Sequence, residues 1–219
     1  MTTDHDTLIH TTIDFVKKCL EGAEAGHDWF HIERVYTMAL RIGATEGGDP
    51  LVIALGALLH DVADPKFHQG DEEKGPMMAG NFLREQQVAE EIIDHVQQII
   101  RHISFKNSFD TAAFNSRELE IVRDADRLDA IGAVGIARTF NYGGFKNRPL
   151  YDPAIPPERH QTKQSYQATQ APTINHFYEK LLLLKDRMHT DTGKEIAAGR
   201  HAFMEAFLAQ FYAEWEGVK

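Results

Sequence analysis

Apolar residues recur along this chain at intervals of three and four, the spacing of one face of an α-helix. Leu8, Ile9, Phe15, Val16 and Cys19 predict a helix from Asp6 to Leu20 that stops near Gly22. Ile32, Val35, Ala39 and Ile42 predict a second, with His31 in its first turn and Gly47 and Gly48 closing it. Asp49 followed by Pro50 suits a helix start, because the carboxylate caps and proline has no N–H to leave unpaired. The helix it opens runs to His60 through LVIALGALL, which is apolar nearly all round and therefore predicts a buried central helix. Gly56 inside it leaves room for a close neighbour. Another helix is expected to begin near Pro76, and Val88, Ile92, Val96, Ile99 and Ile103 predict one with His95 and His102 on roughly one side. Asn115 with Glu118 three positions on predicts a capped start for a helix running through LEIVRDADRLDAIGAVGIARTF, in which Asp126 interrupts a face of Leu119, Val122 and Val134. Residues 141–172, rich in Gly, Pro, Asn and Gln, predict an irregular, partly mobile segment. Two amphipathic helices follow, over about Thr173 to Met188 and Thr192 to Trp215. No alternating strand period is present, so the fold class is all-α.

Composition narrows what such a bundle does. A chain of 219 residues suits a single domain with a substantial core. Acidic residues exceed basic ones by 33 − 23 = 10, which disfavours binding a nucleic acid polymer. A small phosphorylated molecule is still admissible where a cation and a few Lys or Arg residues make one pocket positive. The single cysteine, Cys19, has no partner for a disulfide or a thiolate zinc site and is expected in the core. The opening MTTDHDTLIH lacks a basic region and a long apolar run, and no stretch approaches the ~20 apolar residues a bilayer span requires. A soluble cytoplasmic protein without a membrane partner is the expectation, as monomer or homodimer.

Chemistry concentrates in GALLHDVADPK, residues 56–66, where an apolar helix ends in adjacent His60 and Asp61 and Pro65 turns the chain. Neighbours within a helix diverge by about 100°, but at a helix end the second can swing back toward the first. Alone, the pair reads as a helix-end salt bridge. Together, His31, His60, Asp61 and Asp126 are polar residues set in or beside apolar helical surfaces. Two imidazoles and two carboxylates suit manganese, iron, nickel, cobalt or zinc, with magnesium also admissible. Water on such an ion loses its proton more readily and becomes a nucleophile for phosphorus.

These residues resemble the HD-domain metal-dependent phosphohydrolase superfamily, whose pattern is a helical His, a His-Asp pair and a distant Asp. Here those stand in HDWFHIERV, LLHDVAD and RDADRLDAIG. HDVADPKFHQGDE, IRHISF, DADRLDAIGAVGIARTF and HFYEKLLLLKDRM are similar to one subfamily of small bacterial HD hydrolases, so the likeness covers nearly the whole chain. The resemblance implies an HD-domain helical bundle with a metal-binding core over about 22–130 and a C-terminal helical lid over about 131–219. It implies a metal site of His31, His60, Asp61 and Asp126, with Asp126 preferred over Asp124 and Asp129 because it occupies the family position. It further implies hydrolysis of a phosphate ester or anhydride, the nearest guess being a nucleoside triphosphate split to monophosphate and pyrophosphate. The alternatives are an HD-type nucleotidase or phosphodiesterase, or a module that senses a nucleotide without turnover.

Around the ligand set, Asp64, Lys66 and His102 are the candidates for handling protons and phosphate charge. Arg34, Arg127, Lys146 and Arg148 are weaker candidates for clamping phosphate. Asp129 is expected either near the site or in a solvated or capping role. His95 is expected to be structural, with a second ion on His95 and His102 as the minor alternative.

Overall fold

The computed structural model describes residues 5–21, 28–63, 71–103, 114–158 and 171–219. Among these no strand occurs, and the all-α class holds. The α-helices are α1 (His5–Cys19), α2 (Trp29–Glu46), α3 (Pro50–Leu59), α4 (Lys74–Glu85), α5 (Glu90–His102), α6 (Arg117–Asp129), α7 (Gly132–Phe145), α8 (Asn175–Glu179) and α9 (Asp191–Trp215). No described helix is long and apolar enough to cross a membrane.

The residues fall into two compact units, Met1–Asp126 and Arg127–Lys219. In the first, α3 is the central element: every residue from Leu51 to Leu59 is buried, and α1, α2 and α5 all pack on it. Its start is built as the sequence predicts, with the Asp49 carboxylate accepting from the N–H groups of Leu51 and Val52 at 2.8 and 3.3 Å. A methyl group at Gly56 would sit 3.2 Å from Ile99 Cδ1 and 3.6 Å from Val122 Cγ2, so the missing side chain is what lets α5 and α6 approach. Cys19 is half-buried rather than a core residue, and burial pushes its thiol up against the opposing pull of Lys18.

In the second unit rings join buried aliphatic residues such as Ile136, Ile174, Leu184 and Leu208. Phe177 is fully buried and stacks on Phe207 with centroids 5.8 Å apart, while Phe140 meets both at 6.1 and 6.0 Å. Tyr151 meets Phe211, Tyr212 and Trp215 edge-on within 6.0 Å.

Several further sequence expectations are corrected. The helix beginning at LEIVRDAD is not continuous: α6 ends at Asp129, and α7 begins at Gly132, whose φ of +77° only glycine adopts readily. Val134, beyond that break, is 40 % exposed and does not share the buried face of Leu119 and Val122. The cap of α6 also differs, since the Ser116 hydroxyl accepts from Leu119 N–H at 3.1 Å while Asn115 reaches forward to Glu120.

The span from Thr173 to Met188 is not one helix. Thr173 and Ile174 donate their N–H groups to Pro149 and Leu150 at 2.9 and 3.0 Å, so α8 begins only at Asn175. Lys180, at φ −144°, leaves helical geometry, and two single 3-10 turns follow, Leu181–Leu183 and Lys185–Arg187. Leu181 and Leu184 are buried and Leu183 is exposed, a three-residue spacing that suits the tighter turn. Finally, the segment expected to be irregular from residue 141 is helical as far as Phe145.

Candidate metal centre

Three side chains of the first unit, His31, His60 and Asp126, bring one donor atom each within 4.8 Å of the others, and Asp61 lies beside the two imidazoles. His31 lies in the first turn of α2, where the Asp28 carboxylate accepts from His31 N–H at 3.1 Å and fixes the start of the helix. His60 caps the C-terminal end of α3, Asp61 follows in the turn, and Asp126 is on α6. His31 Nε2 is 3.7 Å from Asp61 Oδ2 and 3.5 Å from Asp126 Oδ1; His60 Nε2 is 3.7 and 3.9 Å from the same two atoms.

These separations are too long for direct hydrogen bonds, which run to about 3.2 Å for nitrogen to oxygen. They suit donors on a shared ion: at about 2.1 Å from the metal, two ligands lie about 3.0 Å apart at a right angle and about 4.2 Å apart when opposite. The rings cross at 71° with centroids 5.4 Å apart, and each offers a nitrogen to the same group of donor atoms. His60 Nδ1–H donates to the Ala57 carbonyl at 2.8 Å, which leaves the Nε2 lone pair directed at the carboxylates. Both imidazoles are 2 % exposed, whereas Asp61 is 20 % and Asp126 37 % exposed, so solvent reaches the cluster from the carboxylate side. The donor set and its spacing fit a divalent ion.

Other candidates are placed differently. Asp64 and Lys66 lie outside the described residues. Asp124 is fully buried and is not in the His31–His60–Asp126 group. Asp129 is not solvated; it is buried and accepts a charged hydrogen bond from Arg138. His95 Nε2 is 2.9 Å from Ser116 Oγ and 3.4 Å from Glu118 Oε2. His102 donates Nδ1–H to the Gln98 carbonyl at 2.9 Å, and Phe114 packs near both rings. Arg34 is part-buried on α2, two positions beyond Ile32.

Within the second unit, Arg127 donates to the Arg187 carbonyl. Lys146 lies over the rings of Phe145 and Tyr142 at 4.8 and 5.5 Å, and Arg148 over Tyr142 at 5.8 Å. Sequence reading missed Asp28 as the residue that fixes the His31 turn, although an Asp three positions before a helical residue is a cap signal. It also missed Arg123, whose guanidinium donates to the His102 carbonyl at 2.7 Å; nothing in the local pattern marks that contact.

The HD domain family model matches residues 29–131. YpgQ of Bacillus subtilis is 37 % identical over 93 % of this chain and 92 % of its own length. A crystal structure of an HD-superfamily hydrolase from Bacillus thuringiensis is 45 % identical, covers 97 % of this chain and 99 % of that one, and superposes with a TM-score of 0.77. A crystal structure of YpgQ in complex with ADP has a TM-score of 0.75, 33 % identity by structural alignment and 96 % coverage of each chain. The chain belongs to the HD-domain superfamily of hydrolases.

Proposed function

We propose that this protein is a metal-dependent phosphohydrolase whose substrate is a small phosphorylated molecule, a nucleotide, and that it splits a nucleoside triphosphate to monophosphate and pyrophosphate. The observation that carries the reading is the spacing of His31, His60, Asp61 and Asp126, four donors 3.5–3.9 Å apart across nitrogen and oxygen. The ADP held by YpgQ supports a nucleotide ligand.

A divalent ion on these donors would polarise a phosphoryl oxygen and acidify bound water. The chain's own residues contribute the rest. Two neutral imidazoles and two carboxylates match the charge of a divalent cation, so the site without one is hostile to phosphate. In the reaction, water adds to the α-phosphorus as the bond from that phosphorus to the bridging oxygen breaks, and pyrophosphate leaves with the bridging oxygen. One proton must leave the attacking water. His102 is suited to that task, because its Nδ1–H on Gln98 leaves Nε2 as the basic nitrogen. Asp64 is the alternative base. Lys66 and Arg34 are the candidates within this unit to offset phosphate charge.

The test is a screen of purified, manganese-loaded protein against nucleoside mono-, di- and triphosphates, reading pyrophosphate and orthophosphate separately. Pyrophosphate release that Asp61→Ala abolishes is the expected result. Orthophosphate release alone makes the protein a nucleotidase, and tight nucleotide binding with no release makes it a sensor.

A further inference from the structure

Glu118 lies eight residues before Asp126 on α6, about 12 Å along the axis at 1.5 Å per residue. It has no part in the ligand set, yet two other elements meet its carboxylate. Its Oε1 accepts from the N–H of Asp49 at 2.9 Å, the residue that caps α3. Its Oε2 is 3.4 Å from His95 Nε2 on α5. A side chain at Gly48 would stand 3.2 Å from Oε1, and Gly48 holds φ +90°, so the approach of this backbone to the carboxylate depends on glycine. Burial pushes the Glu118 carboxyl up, but the Asp49 and Glu118 N–H groups, His95 and Ser116 together hold it below the usual range. The neighbouring Arg117 ties the same end to α2, with Nη2 2.8 Å from Glu46 Oε2 and Nε 3.2 Å from the Glu46 carbonyl.

The consequence is geometric. α2 carries His31 at its start and Glu46 at its end; α3 carries Asp49 before its start and His60 at its end; α6 carries Glu118 near its start and Asp126 further on. The three helices that bear ligands are therefore joined to one another at the ends remote from the ligands. With a lever of about 12 Å, a tilt of 5° at Glu118 moves Asp126 by about 1 Å. Ligand distances tolerate only about 0.2 Å.

We propose that Glu118 is a positioning residue for the metal centre: by holding the N–H of Asp49 it sets the tilt of α6 against α3, and so the placement of Asp126 against His60. The proposal rests on the metal-site reading above. It is tested by Mn²⁺ titration of the full chain, wild type and variants, below the unfolding range of each. Glu118→Ala and Gly48→Ala each weaken Mn²⁺ binding by about ten- to hundredfold, the range for residues that orient ligands. Glu118→Gln, which keeps an oxygen for the Asp49 N–H, restores binding close to wild type. Ile42→Val, which loses a buried methylene of α2 and is less stable, binds as wild type does. In the metal-free protein, the ring resonances of His31 and His60 move in Glu118→Ala while that of His10 on α1 stays. Unchanged Mn²⁺ affinity in Glu118→Ala, an equal loss in Ile42→Val, or unmoved His31 and His60 resonances overturns it. A wild type that takes up no Mn²⁺ overturns the metal reading instead, and the histidine spectra then still decide the role of Glu118.

Discussion

The two units of this chain differ in what fills them. Met1–Asp126 is an aliphatic core around α3, with polar residues admitted at a few helix ends. Arg127–Lys219 also buries aliphatic side chains, Leu128, Ile136, Ile174, Leu184 and Leu208 among them, and adds a cluster of rings in which Phe177 is buried and Phe140, Phe207, Phe211 and Tyr151 are half-buried. Branched aliphatic side chains interlock along helical ridges and hold helix axes in a fixed register. That is what a ligand set drawn from three helices requires. Aromatic rings bury more area per residue and tolerate short helices, turns and extended chain between them. That is what a loop-rich segment with α8 and two 3-10 turns requires.

The sharpest way to break this contrast is to remove a ligand. His60→Ala or Asp126→Ala should lower hydrolysis by about a thousandfold or more, several kcal/mol of transition-state stabilisation at 1.36 kcal/mol per decade, with metal content lost in parallel. Thermal unfolding of the metal-free variants should change little by comparison. Truncating the central ring of the other unit should do the opposite: Phe177→Ala is expected to cost about 3–5 kcal/mol of stability in denaturant titration, the range for emptying a buried phenyl site. Activity measured where that variant remains folded should persist.

A smaller effect separates the units by pH. Burial first, then Lys180 and Arg148, pushes His176 down to about 3 from its ordinary 6.5. The unfolded chain therefore takes up that proton before the folded one does. The resulting stability is complete above about pH 6.5 and declines as pH falls from there toward 3. His176→Gln should flatten that acid limb in unfolding experiments between pH 6.5 and pH 4, while leaving stability at pH 8 within the ordinary range of a single substitution. The least effect is a gain. Ala89 caps α5 with extended backbone and no side-chain acceptor, so Ala89→Ser should stabilise the protein by about 1 kcal/mol in denaturant titration.

The same contrast explains which parts of the fold could be read before the structure. Helices α1, α2, α3 and α5 follow from aliphatic spacing and from caps such as Asp49-Pro50, because in that unit local pattern and tertiary packing demand the same thing, whereas of α4 only a start near Pro76 was legible. The break between α6 and α7 was missed because the apolar residues on both sides of Gly132 keep helical spacing, and only the turn itself requires a left-handed backbone. The Thr173–Met188 span failed for a related reason. Its Leu run fits helical spacing, but backbone bonds from Thr173 and Ile174 to Pro149 and Leu150 decide its start, and no local signal encodes partners 24 residues away. At the metal centre, the four ligand candidates were apparent from residue type and position, yet their mutual distances depend on three helices meeting. Glu118 was read as half of a local cap; its real partner, Asp49, is 69 residues distant.

The contact between the His60 ring and the Ala57 carbonyl has a further consequence. That carbonyl belongs to the last turn of α3, where helical oxygens lack amide donors of their own, so one imidazole proton both completes the helix end and fixes the tautomer. The rotational freedom of the ring is therefore lost when the chain folds, not when a cation arrives. A divalent ion bound there would meet a donor already oriented, which spares roughly 1 kcal/mol of ordering entropy at the moment of capture.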